Sequence, residues 1–280
     1  MVHIITDSAA DLQPQEYEKL GVTCIPLRVA FDDAEYQENV DLSKDQFYEL
    51  LLSEGEFPKT SQAAPAVLEG SFEAVKAKGE EAIYITLSSS LSGTYQTACM
   101  VREDVEYPGN HVFDGKNATG GQRMLVEYAC RLRDEGKSAA QIVDGLESIR
   151  DRIDLYAVVN TLEYLHKGGR ISHAVYTLGS LAQIKPIISV DVEGKVTLPG
   201  KVMGMRKGMD YLAKRLEARK PDGEHPLYVM YTNDRSVAET LAGRLAMHGW
   251  EIPEERIIQV GAAIGTHIGP EACGIVYVGE

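Results

Sequence analysis

The sequence predicts an α/β fold in two lobes: a mainly parallel sheet flanked by helices, then a second lobe with a mixed sheet. Two observations carry this. Short apolar runs of strand character alternate with helix-period segments from residue 1 to about residue 150, the order of successive βα units. Beyond residue 152 an apolar–polar alternation turns back on itself at Glu193-Gly194, which signals an antiparallel hairpin. The expected lobes are therefore residues 1–152 and 153–280 of one 280-residue chain.

In the first lobe HIITDS is a strand, and LQPQEYEKLG is a helix stopped by Gly21. VTCIPLRVAF reads as a single second strand, turned at Asp32-Asp33 into a return strand near EYQE. Ser43 opens a helix with Gln46 three residues on, a capping box, and that helix ends near Gly55. FPKTSQAAP reads as a polar loop, followed by a helix from about Pro65 to Lys78. AIYITLS and HVFD are the third and fourth strands, with a helix beginning near Ser92 between them. Further helices follow Thr119 and Ser138.

In the second lobe LYAVVNT is a strand, LEYLHKGGR a short helix ended by paired glycines, and SHAVYTLGSLAQI a helix entered at Ser172. The hairpin PIISVDVEGKVTLPGKV, a basic helix, the strand LYVMYTN, another helix and strands near RIIQV and CGIVYV complete the chain. No internal repeat or low-complexity linker separates the lobes, so they are expected to pack closely.

Composition narrows the function. A net charge of −14 argues against nucleic acid and anionic membrane as partners. No apolar run approaches the roughly 18 residues of a membrane span. The start, MVHIITDSAADL, lacks the basic and apolar regions of a signal peptide. Cys24, Cys99, Cys130 and Cys273 have no metal or redox spacing, which suits a reducing cytoplasm. Residues 164–220 nevertheless hold eleven Lys and Arg against four Asp and Glu, so +7 sits on a chain whose remainder carries −21. That segment is either a solvated helix face or an anion site or docking surface.

Ligands of an open α/β sheet sit beyond the carboxyl ends of its strands. Three polar clusters map there: Thr6-Asp7-Ser8, the run Ser88 to Thr94, and Asp114. Each is also explained by ordinary helix capping. Gly93 removes a side chain where a ligand would approach, and Ser92 offers a hydroxyl beside the free N–H groups of a helix start. KTSQ, residues 59–62, supplies two more hydroxyls just before the helix at Pro65. Two such helix starts, converging, suit a carboxylate.

A nucleophilic Ser92 is the alternative, with His267 as base and Asp114 as its orienter, in a serine hydrolase acting on acyl esters. Against it, Ser90-Leu91-Ser92-Gly93-Thr94 lacks the first glycine of G-x-S-x-G. His267 falls in GTHIGPEACG, read as a loop set by glycine and proline. No P-loop and no metal-spaced cluster is present, so no metal and no cofactor are expected. KGGRIS places Lys167 and Arg170 around two glycines, either for a phosphate or as a helix end with a solvated arginine.

TDS, KTSQ, SSLSGTYQ, LEYLHKGGRIS, IKPI and GTHIGP, in that order, resemble the motifs of the DegV family of bacterial fatty-acid-binding proteins over about residues 3–278. The resemblance implies two α/β lobes with a long-chain fatty acid between them, and no catalysis by the chain itself. It implies that Thr60 and Ser92 hold the carboxylate, with Ser61, Gly93, Thr94 and His267 as neighbours. It implies a separate fatty acid kinase as partner, with Arg170 near the carboxylate end. Joined to the basic segment, this makes Arg170, Arg206 and Lys207, with Lys201, the expected phosphate or partner contacts. A third reading, from wider fold relatives, is the substrate lobe of a small-molecule kinase assembly. The chain departs from the family pattern at Gly115, where serine is frequent, and at Glu271, where glycine is usual.

Overall fold

The computed structural model describes every residue except 33, 54–56 and 180–182. β1 (Val2–Asp7) ends in a tight 3-10 turn that Asp7 caps, its Oδ1 accepting from Ala9 N at 3.1 Å. α1 (Pro14–Leu20) stops at Gly21, which holds φ 61°, as expected. The single strand expected next is two, β2 (Val22–Ile25) and β3 (Arg28–Phe31), in different sheets. The break follows from Pro26, which has no N–H for a ladder. β4 (Ala34–Gln37) returns on β3, and half of the Asp32-Asp33 turn lies outside the described residues. α2 (Lys44–Ser53) carries the expected capping box, with Ser43 N donating to Gln46 Oε1 at 3.0 Å and Gln46 N to Ser43 Oγ at 3.3 Å. Its expected end at Gly55 is outside the described residues.

The polar loop expected at KTSQ is instead β5 (Lys59–Ser61), antiparallel to β3 with Thr60 opposite Val29. Three polar residues pair here because β3 supplies the ladder, a tertiary effect that propensity cannot show. α3 (Pro65–Lys78), β6 (Glu81–Thr86), α4 (Thr94–Val105), β7 (Asn110–Asp114), α5 (Gly120–Asp134) and α6 (Ala139–Arg150) follow the expected order.

The remainder runs β8 (Ile153–Val158), α7 (Glu163–Lys167), α8 (His173–Gly179), β9 (Ile184–Val190), β10 (Val196–Met203), α9 (Gly204–Ala218), β11 (Tyr228–Tyr231), α10 (Arg235–Met247), β12 (Ile257–Gln259), α11 (Ala262–Ile268) and β13 (Cys273–Val278). The helix expected over SHAVYTLGSLAQI, residues 172–184, is a correction at its far end: α8 is described to Gly179, residues 180–182 lie outside the described residues, and Ile184 already begins β9. β9 and β10 form the expected hairpin, with a register break in β10 between Thr197 and Gly200. α11 is a correction: the segment read as a loop around His267 is a helix up to Ile268, and Gly269 ends it at φ 76°.

The described residues form three sheets. The first, β2-β1-β6-β7, is wholly parallel. The second, β10-β9-β8-β13-β11-β12, is mixed. The third, β4-β3-β5, is a small antiparallel sheet: the turn and return strand near EYQE were expected, and β5 was not. One apolar cluster joins Ile4, Ile83 and Ile85 of the parallel sheet, Leu125 and Leu146 of α5 and α6, and Leu155, Met230 and Val276 of the mixed sheet. α5 and α6 thus fill the space between the two large sheets. Phe72 of α3 and Ala98 of α4 cover the other face of the parallel sheet. Leu212 of α9 and Leu241 of α10 cover the other face of the mixed sheet, against Tyr156, Val158 and Ile275.

Candidate functional site

A cavity of about 110 Å³, counted as space open to the centre of a water-sized sphere, lies between the two large sheets and α11. Its wall is mostly apolar, with Leu87, Leu155, Ile188, Val196, Met230 and Ile264 from both halves of the chain. Its polar lining includes Thr60, Ser61, Gln62, Ser92, Arg170 and His267.

Each polar group has a local reason for its place. Pairing with β3 leaves Lys59 and Ser61 exposed and turns Thr60 inward. Thr60 Oγ1 lies 2.9 Å from His267 Nε2, in the last turn of α11. Ser92 Oγ lies 2.9 Å from Thr94 Oγ1 and accepts from Thr94 N at 3.2 Å, so it is fixed against the first residue of α4, just before the N-cap Gly93. Arg170 is half-buried, donating Nε–H to Leu91 O at 3.0 Å and an Nη1–H to Gly168 O at 2.5 Å. Burial lowers its pKa, but a guanidinium stays charged. Among the described residues no carboxylate pairs with it.

His267 is neutral. Burial, and then the positive charge of Arg170, push its pKa down to about 3. Its Nδ1 is buried without a hydrogen-bond partner among the described residues. Gly168 packs on that nitrogen so closely that a Cβ there would sit 2.0 Å from it.

α11 is held at its other end by buried carboxylates. Gly261 N donates to Asp11 Oδ1 at 2.8 Å and Ala263 N to Glu38 Oε1 at 3.2 Å. A Cβ at position 261 would lie 2.2 Å from Glu38 Oε1. Ser8 donates its hydroxyl to Glu38 Oε2 at 2.6 Å, and Lys44 Nζ donates to Asp11 O and Gln259 O at 2.7 Å each. Burial pushes the Glu38 carboxyl up to about 7, the Asp11 charge adding to the effect.

Several expectations change here. Asp7 and Ser8 do not line the cavity; they act on it through the turn after β1 and through α11. Asp7 accepts from Ala9 N, Leu87 N at 3.0 Å and Gln122 Nε2 at 3.0 Å, and burial pushes its carboxyl up to about 6. Asp114 is held by Ser89 N and Oγ and Lys116 N. The triad of Ser92, His267 and Asp114 is therefore not assembled, since Ser92 bonds Thr94 and His267 bonds Thr60. Gly93 and Thr94 are also absent from the cavity wall. Gly93 holds φ −73°, and the space freed by its missing side chain is taken by Gln62, whose Oε1 would lie 2.6 Å from a Cβ. Arg206 and Lys207 are exposed in the first turn of α9, which covers the face of the mixed sheet turned away from the cavity. Lys167 pairs with Glu163 at 2.7 Å on the surface.

The DegV family profile, described as that of an uncharacterised protein family, matches residues 1–280. The chain belongs to the DegV family. A DegV domain-containing protein of Caldanaerobacter subterraneus subsp. tengcongensis is 32% identical over 279 residues, 99% of this chain and 98% of the relative. A fatty-acid-binding DegV family protein from Thermus thermophilus superposes with a TM-score of 0.89 at 29% identity, covering 99% of each chain. A stearic-acid-binding protein from Eubacterium ventriosum superposes at 0.88 with 25% identity, over 99% of this chain and 97% of the other. Glu271, the departure from the DegV pattern, holds φ 60°, a conformation glycine adopts more easily, and its carboxylate accepts from Asn160 Nδ2 at 2.8 Å. Among the described residues no helix is long and apolar enough to cross a membrane.

Sequence reasoning missed Asp11, Glu38 and Lys44, the residues that anchor α11. Lys44 directly follows the helix cap Ser43, a place normally exposed, yet only 4% of it is accessible. Gln62 stood within the quoted KTSQ motif, but nothing local pointed it at Gly93.

Proposed function

We propose that this DegV protein is a carrier that buries one long-chain fatty acid in the cavity and does no chemistry on it. The observation that carries this reading is Arg170, a half-buried cation with no carboxylate partner among the described residues, on the wall of a mostly apolar cavity beside the hydroxyls of Thr60 and Ser92. A guanidinium there calls for an anion, and the apolar wall calls for an alkyl chain. The fatty acids bound by the Thermus and Eubacterium relatives support the same reading.

Thr60 and Ser92 hold the carboxylate by hydrogen bonds, and Arg170 supplies the charge. Ser61 and the neutral His267 border the head group, while Gly93 and Thr94 serve behind it by seating Gln62 and Ser92. Burying a methylene is worth roughly 0.8 kcal/mol, so a chain of about sixteen carbons gains on the order of 10 kcal/mol before association costs. Residues 1–152 and 153–280 act as the two lobes around the ligand. The carrier works in the cytoplasm and presents the carboxylate to a separate fatty acid kinase. Arg170 is the contact for the phosphate; Arg206 and Lys207, on the far side of the mixed sheet, enter only where the kinase reaches around α9.

Mass spectra of the purified protein under native and denaturing conditions test the carrier reading. One fatty acid per chain is expected in the native spectrum and in a solvent extract. Identical masses with an empty extract, persisting after incubation with palmitate and oleate, sink it.

A further inference from the structure

Two histidines face each other where α7 gives way to α8. His166 is in the last turn of α7, His173 is the first residue of α8, and the Gly168-Gly169 turn folds one back toward the other. His166 Nε2 and His173 Nδ1 are 3.3 Å apart. Tyr176 lies flat on the His166 ring, with centroids 4.5 Å apart and planes at 13°, and so fixes the direction in which that ring presents its nitrogen. The nearby Glu163 is already paired with Lys167 at 2.7 Å. Neither histidine lines the cavity.

The separation is long for a hydrogen bond between two rings, where about 2.9–3.0 Å is usual for an N–H donor. It matches a chelate. Two zinc–imidazole bonds of about 2.0–2.1 Å at the tetrahedral angle place the nitrogens about 3.3–3.4 Å apart. We propose that His166 and His173 form a bidentate site for a divalent transition-metal cation of the zinc type, with water completing its coordination. Imidazole nitrogens favour such a cation over calcium or magnesium, which take oxygen ligands. His173 is exposed, so the site is open to solvent on one side.

A second cluster of metal-type ligands among the described residues, Asp222, Glu224 and His225, is a poorer candidate. Asp222 Oδ2 already accepts from Arg152 at 3.1 Å and pairs with His225 Nδ1 at 2.9 Å. Its Oδ1 accepts the N–H groups of Glu224 and His225. A cation there would displace an arginine.

The test is calorimetric titration of the tag-free, full-length protein with zinc chloride. The tightest site should take one zinc per chain. His166→Ala and His173→Ala should each weaken it at least tenfold. The double variant should bind no more weakly than either single one, because removing one arm already abolishes a chelate. His166→Gln and His173→Gln give the same comparison where alanine lowers the melting temperature of the metal-free protein. Unchanged affinity in either single variant overturns the proposal. So do single losses that add in the double variant, which indicate independent one-histidine sites, and a loss that follows only His225→Ala.

Discussion

Thr60 and Ser92 do different work although both are hydroxyls on one cavity wall. Thr60 Oγ1 is the partner of His267 Nε2, so removing it leaves that part-buried nitrogen without its hydrogen bond as well as losing the proposed contact to the ligand. Ser92 Oγ accepts from Thr94 N at the start of α4 and has its own O–H to donate to a carboxylate. A lost hydrogen bond to a charged group costs about 1.5–3 kcal/mol, roughly a tenfold to hundredfold change in affinity. Thr60→Ala and Ser92→Ala are each expected to weaken fatty acid binding by that much, read by displacement of a fluorescent fatty acid. Thr60→Ser should recover most of the loss, because the hydroxyl alone makes the bond. A double alanine variant that binds as tightly as the parent places the carboxylate elsewhere.

At the scale of elements, α11 is the part on which site and scaffold meet. It carries His267 at one end and is capped at the other by Asp11 and Glu38, whose burial is complete or nearly so. Glu38 has an ordinary carboxyl pKa of 4.5 and a folded value raised to about 7. The folded state therefore holds this proton more tightly, and the stability it contributes is full below pH 4.5 and lost as pH rises through about 7. His267, depressed to about 3, pulls the other way in acid, so the informative quantity is wild type minus Glu38→Gln. That difference in urea-unfolding free energy is expected to fall between pH 4.5 and 7; a flat difference would show that Glu38 does not titrate there. α11 also shows where sequence reading stops. Strands such as β6 and β7, the capping box at Ser43 and the helix start after Ser138 were legible, because their signals are local. The helical state of α11 was not, because its apolar stretch is short, glycine-rich and stabilised by carboxylates 225 and 250 residues away in sequence. Thr60, Ser92, Arg170 and His267 were recognisable as residues, but the distance between Thr60 and His267 was not, since 207 residues separate them. The placement of Arg206 and Lys207 was not legible either: charge counted along a segment does not say which face of a sheet it lies on.

For the whole molecule, the shared cluster around α5 and α6 decides how far the two proposed lobes are separate. Leu125 and Leu146 have one sheet on each side, so cutting the chain after residue 152 would bare the apolar face of the mixed sheet and uncover those helices. Fragments 1–152 and 153–280 are each expected to bind a hydrophobic dye and to melt without a sharp transition, while the intact chain melts cooperatively. A cooperative melt of either fragment alone would make the halves independent domains. The strand at the rim of the mixed sheet bears on a different property. β10 is, at eight residues, the longest strand among the described residues, and one of its sides pairs with nothing in the sheet. A long open edge is a template for another chain. The register break between Thr197 and Gly200 bends this one, Pro199 withdraws an N–H from its middle, and Lys201 brings charge to it. Copies of this chain are thereby kept from adding strand to strand, and resistance to fibril growth is written into the same hairpin that helps wall the cavity.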